Sequence, residues 1–395
     1  MKSFVSFLII SIILSVSVSS LCADSASWTE KLKYEDGGRM ADINIKEGKQ
    51  DGESINYYED GAVKSIAHYK DGKKDGGEKL FWPNGNLRIS RNFKNGKMEG
   101  FAQYYAEAGW KQIEEYYENG KNEGMCRGYY EEGNVRFEQP YKDDKRNGLR
   151  VVYDNDKTIV AEVPYKNNRR EGIARYYYGE RIPRLDSLYV EMRRKELGNY
   201  KKGQLIAEIP YKNNKRNGTA RYYHSNGKVR FEVVFENNKV RRGKKWFAEN
   251  GNLICKTTYD KNGNLNGPMA RYYESGILSS LEPYSNGEKD GTMQYYTKNG
   301  KIFREEPYRK GVLNGNVRQY YASGQLYMEQ PYTNGVLSGT ERYYYPSGKV
   351  RIETPYKDGY VDGDWKFYDE DHQIVAQGHL EKGKLIGKWK FQNTD

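Results

Sequence analysis

The stretch AEIPYKNNKRNGTARYYHSNGK, residues 207–228, nearly repeats the stretch AEVPYKNNRREGIARYYYGE, residues 161–180. Self-similarity at a fixed spacing is the sequence signature of a repeat architecture. A glycine recurs along the chain, mostly at intervals of 24 residues: Gly52, Gly76, Gly100, Gly124, Gly148, Gly172, Gly218, Gly267, Gly291, Gly315, Gly339, Gly363 and Gly387. Because Arg194 and Arg242 fill the two missing places, we predict about fifteen copies of one short repeat.

Each repeat has the pattern of a β-hairpin. An aromatic residue follows the repeat glycine by five positions, and a turn glycine follows it by nine, as in Asn84-Gly85. Asn-Gly tolerates the positive φ angles of a tight turn, so we expect one strand to enter this turn and another to leave it. The second strand alternates apolar and polar residues, most clearly over residues 229–235, which predicts one apolar sheet face.

A proline recurs near the end of the second strand, for example at Pro140, Pro164 and Pro210. Proline has no backbone N–H to donate to a neighbouring strand. We therefore expect each proline to end regular pairing and to begin the connection to the next repeat.

These patterns predict an all-β fold. A single hairpin cannot bury its aromatic face, and stacking hairpins in series supplies the missing cover. The expected structure is an elongated, single-layer antiparallel sheet of about fourteen to fifteen tandem 24-residue hairpins over residues 24–395, with irregular repeats near 172–193 and 242–266. The 38 tyrosines and the mean hydropathy of −1.00 agree with a thin, tyrosine-rich core.

The first residues have a different composition. Lys2 precedes an apolar run over residues 4–18, and small residues follow it, which is typical of a secretory signal peptide. We therefore expect residues 1–23 to direct export to the periplasm, the outer envelope or the medium. A lipoprotein is disfavoured, because Ser19 and Leu21 are unsuitable neighbours for a lipid-modified Cys22.

Catalytic and cofactor motifs are absent from the sequence. No G-x-S-x-G motif or phosphate-binding loop follows a strand, and the repeated glutamates single out no pair. We expect no enzyme activity, no metal site, no cofactor and no small-molecule substrate. The histidines are predicted to be surface residues: His68, His224, His372 and His379.

The recurring E-x-P-Y-K-x-G pattern, as in EQPYTNGVLSGTERYYYPSGKVRIETPYKDG at 329–359, resembles the MORN repeat variant of bacteria. The resemblance covers about residues 28–391 and implies hairpins in one elongated sheet. Similar repeat chains include the antitoxin component of a toxin–antitoxin module, which implies sequestration of a toxin protein. Some related arrays precede lipid-kinase domains, but this sequence has no kinase motif outside the repeats.

Basic residues recur at the connections between repeats in the middle of the chain. Aligned by stacking, they would form a basic ridge and a candidate site for an anionic partner. The alternative is a set of solvated residues that keep sheet edges from aggregating. The residues of this ridge are Lys145, Arg146, Arg169, Arg170, Arg193, Arg194, Lys195, Lys215, Arg216, Arg241, Arg242, Lys244 and Lys245.

The tyrosines that follow the repeat glycines form a candidate aromatic face for recognition. They are Tyr129, Tyr153, Tyr177, Tyr223, Tyr296, Tyr320, Tyr344 and Tyr368. The favoured function is an exported scaffold that binds a protein along its sheet. The alternatives are an antitoxin or immunity protein that sequesters a toxin, and an envelope module that binds anionic lipid or glycan. The interleaving of 65 basic with 54 acidic residues does not favour nucleic acid.

Overall fold

The computed structural model describes residues 26–180 and 200–391, which contain only strands, turns and bends. The predicted signal peptide at 1–23 and the ridge residues Arg193, Arg194 and Lys195 lie outside the described residues. The chain divides into an N-terminal unit, which ends at Lys121, and a C-terminal unit, which begins at Asn122. Within each unit consecutive strands pair antiparallel, which confirms the prediction of an all-β fold built from repeated hairpins.

The N-terminal unit contains nine strands, and a tenth lies at the division between the units. They are β1 (Ser27–Lys33), β2 (Arg39–Lys46), β3 (Lys49–Tyr57), β4 (Val63–Lys70), β5 (Lys73–Phe81), β6 (Leu87–Lys94), β7 (Lys97–Met98), β8 (Gly100–Tyr105), β9 (Lys111–Glu118) and β10 (Lys121–Asn122).

The C-terminal unit repeats three kinds of strand. Each first strand begins at a repeat glycine: β11 (Gly124–Tyr129), β14 (Gly148–Tyr153), β17 (Gly172–Tyr177), β20 (Gly218–Tyr223), β24 (Gly267–Tyr272), β27 (Gly291–Tyr296), β30 (Gly315–Tyr320), β33 (Gly339–Tyr344) and β36 (Gly363–Tyr368). Each second strand has eight residues: β12 (Val135–Lys142), β15 (Ile159–Lys166), β18 (Leu205–Lys212), β21 (Val229–Glu236), β25 (Leu278–Ser285), β28 (Ile302–Arg309), β31 (Leu326–Thr333), β34 (Val350–Lys357) and β37 (Ile374–Glu381).

Two-residue connecting strands lie between most repeats of this unit, and three strands depart from the scheme. The connecting strands are β13 (Lys145–Arg146), β16 (Arg169–Arg170), β19 (Lys215–Arg216), β26 (Glu288–Lys289), β29 (Val312–Leu313), β32 (Val336–Leu337) and β35 (Tyr360–Val361). The departures are β22 (Lys239–Phe247), β23 (Leu253–Thr257) and β38 (Lys384–Phe391).

The two faces of the sheet differ in chemistry. Ala220 and Tyr222 on β20 and Phe231, Val233 and Phe235 on β21 are each at most 2% exposed and belong to one hydrophobic cluster. Side chains alternate between faces along a strand, so the residues between these point to the opposite face. We call the first face the core face and the second, which carries repeated Arg and Glu residues, the charged face.

The tightest turn lies between repeats and not within them. Asn95 and Gly96 both have positive φ, at 51° and 81°, as a two-residue type I′ turn requires. In the hairpin turn at Asn84-Gly85 only Gly85 has positive φ, at 84°, and its N–H donates to the Trp82 carbonyl at 2.9 Å. The predicted hairpin is therefore correct, but Asn-Gly adopts the two-residue geometry at the junction.

The recurring proline does not end strand pairing, so that expectation is wrong. Pro140 lies opposite Met125, and its strand continues to Lys142. The Pro140 carbonyl accepts a hydrogen bond from Asn147 N–H at the point where the register shifts between β13 and β14. The N–H and C=O of a strand residue point toward the same neighbouring strand. The N–H that proline lacks would therefore point at this bulge, where the ladder has no hydrogen bond to lose.

A second ladder joins many of the repeats to the next through side chains. The Tyr200 hydroxyl donates to the Tyr223 carbonyl at 2.6 Å, and equivalent tyrosines repeat this bond 23 residues apart. His224 Nε2 makes the equivalent contact with the Phe247 carbonyl at 2.9 Å. His224 is only 6% exposed, so the prediction that it is a surface residue is wrong: it substitutes for the ladder tyrosine.

Candidate binding surface

One row of side chains crosses the charged face of the C-terminal unit, perpendicular to the strands. The register places Arg175 opposite Glu208, Glu208 opposite Arg221, and Arg221 opposite Glu232. Arg175 Nε lies 3.0 Å from Glu208 Oε1, and Arg221 Nε lies 2.9 Å from Glu232 Oε1. Opposite charges facing each other across strands stabilise the sheet, so this row is a structural element of the repeat.

The eight tyrosines of the predicted aromatic face end the first strands. Tyr368 is buried and the other seven are half-buried, so none of the eight rings is fully exposed. Five of the hydroxyls donate to the glutamate 15 residues earlier: Tyr153 to Glu138, Tyr177 to Glu162, Tyr223 to Glu208, Tyr320 to Glu305 and Tyr368 to Glu353. These hydroxyls therefore hold successive repeats together.

These contacts change the acidity of both partners. Burial, and next the hydrogen bond to glutamate, raise the pKa of Tyr177, Tyr223 and Tyr320 to about 12. Burial alone would raise the pKa of Glu208, but hydrogen bonds from Tyr223 and Arg175 outweigh it and hold that pKa below its ordinary value. At neutral pH the row therefore contains neutral phenols and ionised carboxylates.

The predicted basic ridge divides between the two faces. Its core-face half consists of arginines that fold over aromatic rings of the following repeat. The Arg146 guanidinium lies 4.5 Å from the centre of the Tyr165 ring, and Arg170 lies 4.1 Å from that of Tyr211. Arg216 covers Phe235 in the same way at 4.1 Å. Such cation–π contacts stabilise the core edge, so this half of the ridge has a structural role.

The charged-face half of the ridge is exposed and contains like charges that face each other. Lys142 lies opposite Lys145 across a type I′ turn, Lys166 opposite Arg169, and Lys212 opposite Lys215. All six side chains are exposed. Like charges directly opposite each other are destabilising, and three consecutive described hairpins of the C-terminal unit contain such a pair. Three junction turns of the N-terminal unit also oppose two lysines, at Lys46–Lys49, Lys70–Lys73 and Lys94–Lys97.

Backbone hydrogen bonds bring the three pairs together. The Arg146 carbonyl accepts from Asn168 N–H at 3.0 Å, and the Arg170 carbonyl accepts from Asn214 N–H at 3.1 Å. Each turn therefore lies against the connecting strand of the repeat before it. The three like-charge pairs form one continuous group on the charged face.

Two exposed apolar side chains lie beside this group. Leu149 and Ile173 are 44% and 46% exposed, and they lie opposite Pro164 and Pro210 respectively. Each lies four positions after the ridge residue of its own repeat, Lys145 or Arg169. We call Leu149, Ile173 and the six cations the basic strip.

The remaining ridge residues belong to the irregular repeat. Arg241 donates to the Lys261 carbonyl and lies 3.1 Å from Glu236. Arg242, Lys244 and Lys245 lie within strand β22 and not in a turn. Lys244 lies 5.2 Å from the centre of the Tyr259 ring, and Lys245 lies 3.9 Å from Glu232. These residues are therefore separate from the basic strip.

The described residues contain no group of three or more His, Cys, Asp or Glu side chains arranged to hold a metal ion. Cys126 and Cys255 are not in disulfides, and Cys126 is buried. Over the same ranges, 26–180 and 200–391, no helix has the length and apolar character to cross a bilayer.

Part of the chain matches a known family model. Seven of the repeats match the MORN repeat variant. The matching segments are 50–71, 74–95, 122–143, 216–237, 289–310, 313–334 and 337–358. Each of these segments contains a repeat glycine, the turn glycine nine residues later and the strand that follows it, and ends at the first residue of the junction turn. The segment at 216–237 includes Arg216 and Phe235, and so contains the arginine–aromatic contact.

Solved structures give only a distant likeness. Crystal structures of TcdB2-TccC3-TEV and TcdB2-TccC3-Cdc42 are each 10% identical, with TM-scores of 0.15 and 0.13. A crystal structure of TcdB2-TccC3 without its hypervariable C-terminal region has a TM-score of 0.14. In each case the match covers 90% of this chain but 26% of the other. Among curated proteins the chain has no match.

Sequence reasoning missed half of the basic strip. Lys142, Lys166 and Lys212 precede the turns and were not recognised as partners of the ridge residues that follow. The signal is a cation on each side of a two-residue turn, because a type I′ turn places its flanking residues directly opposite each other. Leu149 and Ile173 can be assigned to the charged face from side-chain alternation, because each lies two residues before a position of the charged row.

Proposed function

We propose that this protein is a non-enzymatic repeat scaffold that binds an acidic protein through the basic strip. The observation that carries the proposal is the set of three like-charge pairs around Lys145, Arg169 and Lys215 beside exposed Leu149 and Ile173. A protein partner with carboxylates around an apolar contact would neutralise the opposed cations and cover both apolar side chains. Charge complementarity of this kind gives specificity and fast association.

The experiment compares two triple variants of equal charge. The strip variant carries Lys145→Gln, Arg169→Gln and Lys215→Gln, and the control carries Lys298→Gln, Lys357→Gln and Lys388→Gln, which are exposed residues of other repeats. Wild-type protein and both variants capture partners from cell and envelope extracts at low and high salt. A protein that wild type retains at near-equal stoichiometry is then purified. Its affinity is measured for wild type, for the strip variant and for the control variant.

We expect the strip variant to bind that protein at least about tenfold more weakly than wild type and the control, because desolvated charge pairs contribute strongly at interfaces. Equal affinity of the strip variant and the control would refute the proposal.

A second candidate function is an envelope module that binds anionic lipid or glycan. The exposed cations of the basic strip favour it, since six positive side chains attract polyanions. Under this function the capture would yield only lipid or polymer, and binding would fall steeply as salt increases.

We further propose that residues 1–23 direct export, on the basis of the apolar run at 4–18. N-terminal sequencing of protein from cell fractions tests this proposal, and a first residue near Asp24 outside the cytoplasm would support it. An immunity or antitoxin role is a narrower form of the scaffold proposal. It requires that the captured protein be a toxin whose activity this protein abolishes.

A further inference from the structure

The charged row changes in the irregular repeat. From Arg221 the register continues to Glu232, then to Lys245 on β22 and to Lys256 on β23. Lys256 lies 24 residues after Glu232, at the position that holds Glu208 and Glu232 in the two preceding repeats. Two lysines therefore face each other in the row, at a point where the preceding repeats pair a positive with a negative side chain. Like charges that face each other across strands are destabilising.

The surrounding residues supply little compensating charge. Glu232 is already 2.9 Å from Arg221 Nε and lies 3.9 Å from Lys245 Nζ. Beyond Lys256 the row continues with Ala270 and then Leu281, which carry no charge. Lys256 is exposed, and it has no ion pair with a carboxylate of the described residues.

A cavity of about 450 Å³ opens beside the two lysines. It forms where β23 ends at Thr257 after five residues, whereas the regular second strands have eight. Gly243 permits the close approach of β22 to this end, because a Cβ there would lie 1.9 Å from the Thr257 carbonyl oxygen. The cavity is lined by Thr219, Arg221, Glu232, Val234, Gly243, Lys244, Lys245, Lys256, Thr257 and Thr258.

The lining has the composition of an anion site. Three cationic residues of the charged face, Arg221, Lys245 and Lys256, line it together with Thr219, against the single carboxylate of Glu232. Lys244 and Thr257 pair with each other at the next register position, so their side chains point to the core face. An uncompensated lysine pair is costly, and one bound oxyanion relieves the charge and accepts hydrogen bonds.

We propose that this cavity binds a phosphate or sulfate group, with Lys245 and Lys256 as the principal cations and Arg221 as a third. A doubly charged tetrahedral oxyanion matches the excess of positive charge and accepts several hydrogen bonds at once. The site is separate from the basic strip, so it does not depend on the proposed protein partner.

The test uses the full chain with inorganic phosphate as the probe, titrated by calorimetry at constant ionic strength against chloride. The expected result is one phosphate per wild-type chain and competition by sulfate. Lys256→Glu restores the repeat glutamate and should weaken binding at least tenfold without loss of fold. Lys215→Glu makes the same change of charge in the basic strip and should bind phosphate as wild type does.

The result that overturns the proposal is equal phosphate affinity of Lys256→Glu and wild type, or no phosphate binding by folded wild type above the chloride control. Lys245→Gln is the second variant and should also weaken binding. Flotation with phosphatidylcholine vesicles, with and without phosphatidic acid, identifies the source of the group. Co-flotation that requires both phosphatidic acid and Lys256 assigns a lipid headgroup, and phosphate binding without flotation assigns a soluble ligand.

Discussion

The Tyr223 hydroxyl lies 2.7 Å from Glu208 Oε2, and this hydrogen bond joins two consecutive repeats through side chains 15 residues apart. Glu208 also accepts from Arg175 of the preceding strand. One carboxylate therefore connects three strands. The same contacts recur where Tyr368 and Arg342 both donate to Glu353, so this triad is part of the repeat.

We expect Tyr223→Phe to reduce the free energy of unfolding by about 1.5–3 kcal/mol, the usual contribution of a hydrogen bond to a charged group. Tyr327→Phe is the matched control, because the Tyr327 ring packs against Tyr321 but its hydroxyl has no hydrogen bond with the described residues. Thermal denaturation measures both changes. Equal midpoints for the two variants would contradict the role of the Tyr223 hydroxyl.

Alkaline pH should weaken the fold through the same tyrosines. The pKa of Tyr177, Tyr223 and Tyr320 is raised to about 12, against an ordinary value of about 10. Because the folded pKa is the higher, this stability is fully present below pH about 10 and is lost as pH rises through about 12. Absorbance titration of phenolate, followed beside circular dichroism, should show a late-titrating group of tyrosines. Titration of every tyrosine near pH 10 in the folded protein would exclude this account.

The repeat glycine is needed for its contact with proline. Gly148 has a φ of 116°, and a Cβ there would lie 2.8 Å from Pro140 Cγ. We expect Gly148→Ala to destabilise the protein by about 1–3 kcal/mol, the usual cost of overpacking, in addition to backbone strain. At Gly227 φ is 82°, and no atom lies within 4 Å of the position that a Cβ would occupy. Gly227→Ala should therefore lower the free energy of unfolding through backbone strain alone. Comparable losses in chemical denaturation would indicate that the proline contact is unimportant.

The two basic residues of one connecting strand should behave differently. Arg216→Ala removes the guanidinium over buried Phe235 and should cost about 1–2 kcal/mol. Lys215→Ala should change the free energy of unfolding by less than about 0.5 kcal/mol, because its side chain is exposed. Urea denaturation of both variants tests this difference, and a larger loss for Lys215→Ala would reverse the assignment of faces.

Restoring the glutamate of the charged row should stabilise the protein. Lys256→Glu replaces a like-charge pair by an opposite pair with Lys245, for an expected gain of about 0.2–1 kcal/mol. Lys366→Glu, which lies opposite Glu353, should give a loss of similar size. Both thermal midpoints should converge on the wild-type value at high salt. A lower midpoint for Lys256→Glu at low salt would contradict the assigned register.

Local sequence pattern is sufficient to predict the hairpin repeat, its 24-residue period, and the face on which Phe231, Val233 and Phe235 lie. The reason is that side-chain alternation and turn propensity are local properties that a period of two and a recurring glycine express directly. Composition also predicted a tyrosine-rich core, but among the described residues alanines outnumber tyrosines in the buried apolar set. The sequence also shows basic residues in adjacent pairs, such as Lys215 and Arg216. It does not show that the two members of a pair lie on opposite faces of the sheet.

The contacts of those residues depend on pairing between strands, which the structure shows. The bulge opposite Pro210 and the turn at Asn213-Asn214 together set the register that exposes Lys215 and folds Arg216 over Phe235 of the next repeat. The opposition of Lys245 and Lys256 likewise follows from the pairing of β22 with β23. A one-residue shift of register reverses the face of every following side chain, and register is fixed by pairing between strands that the spacing of residues does not specify.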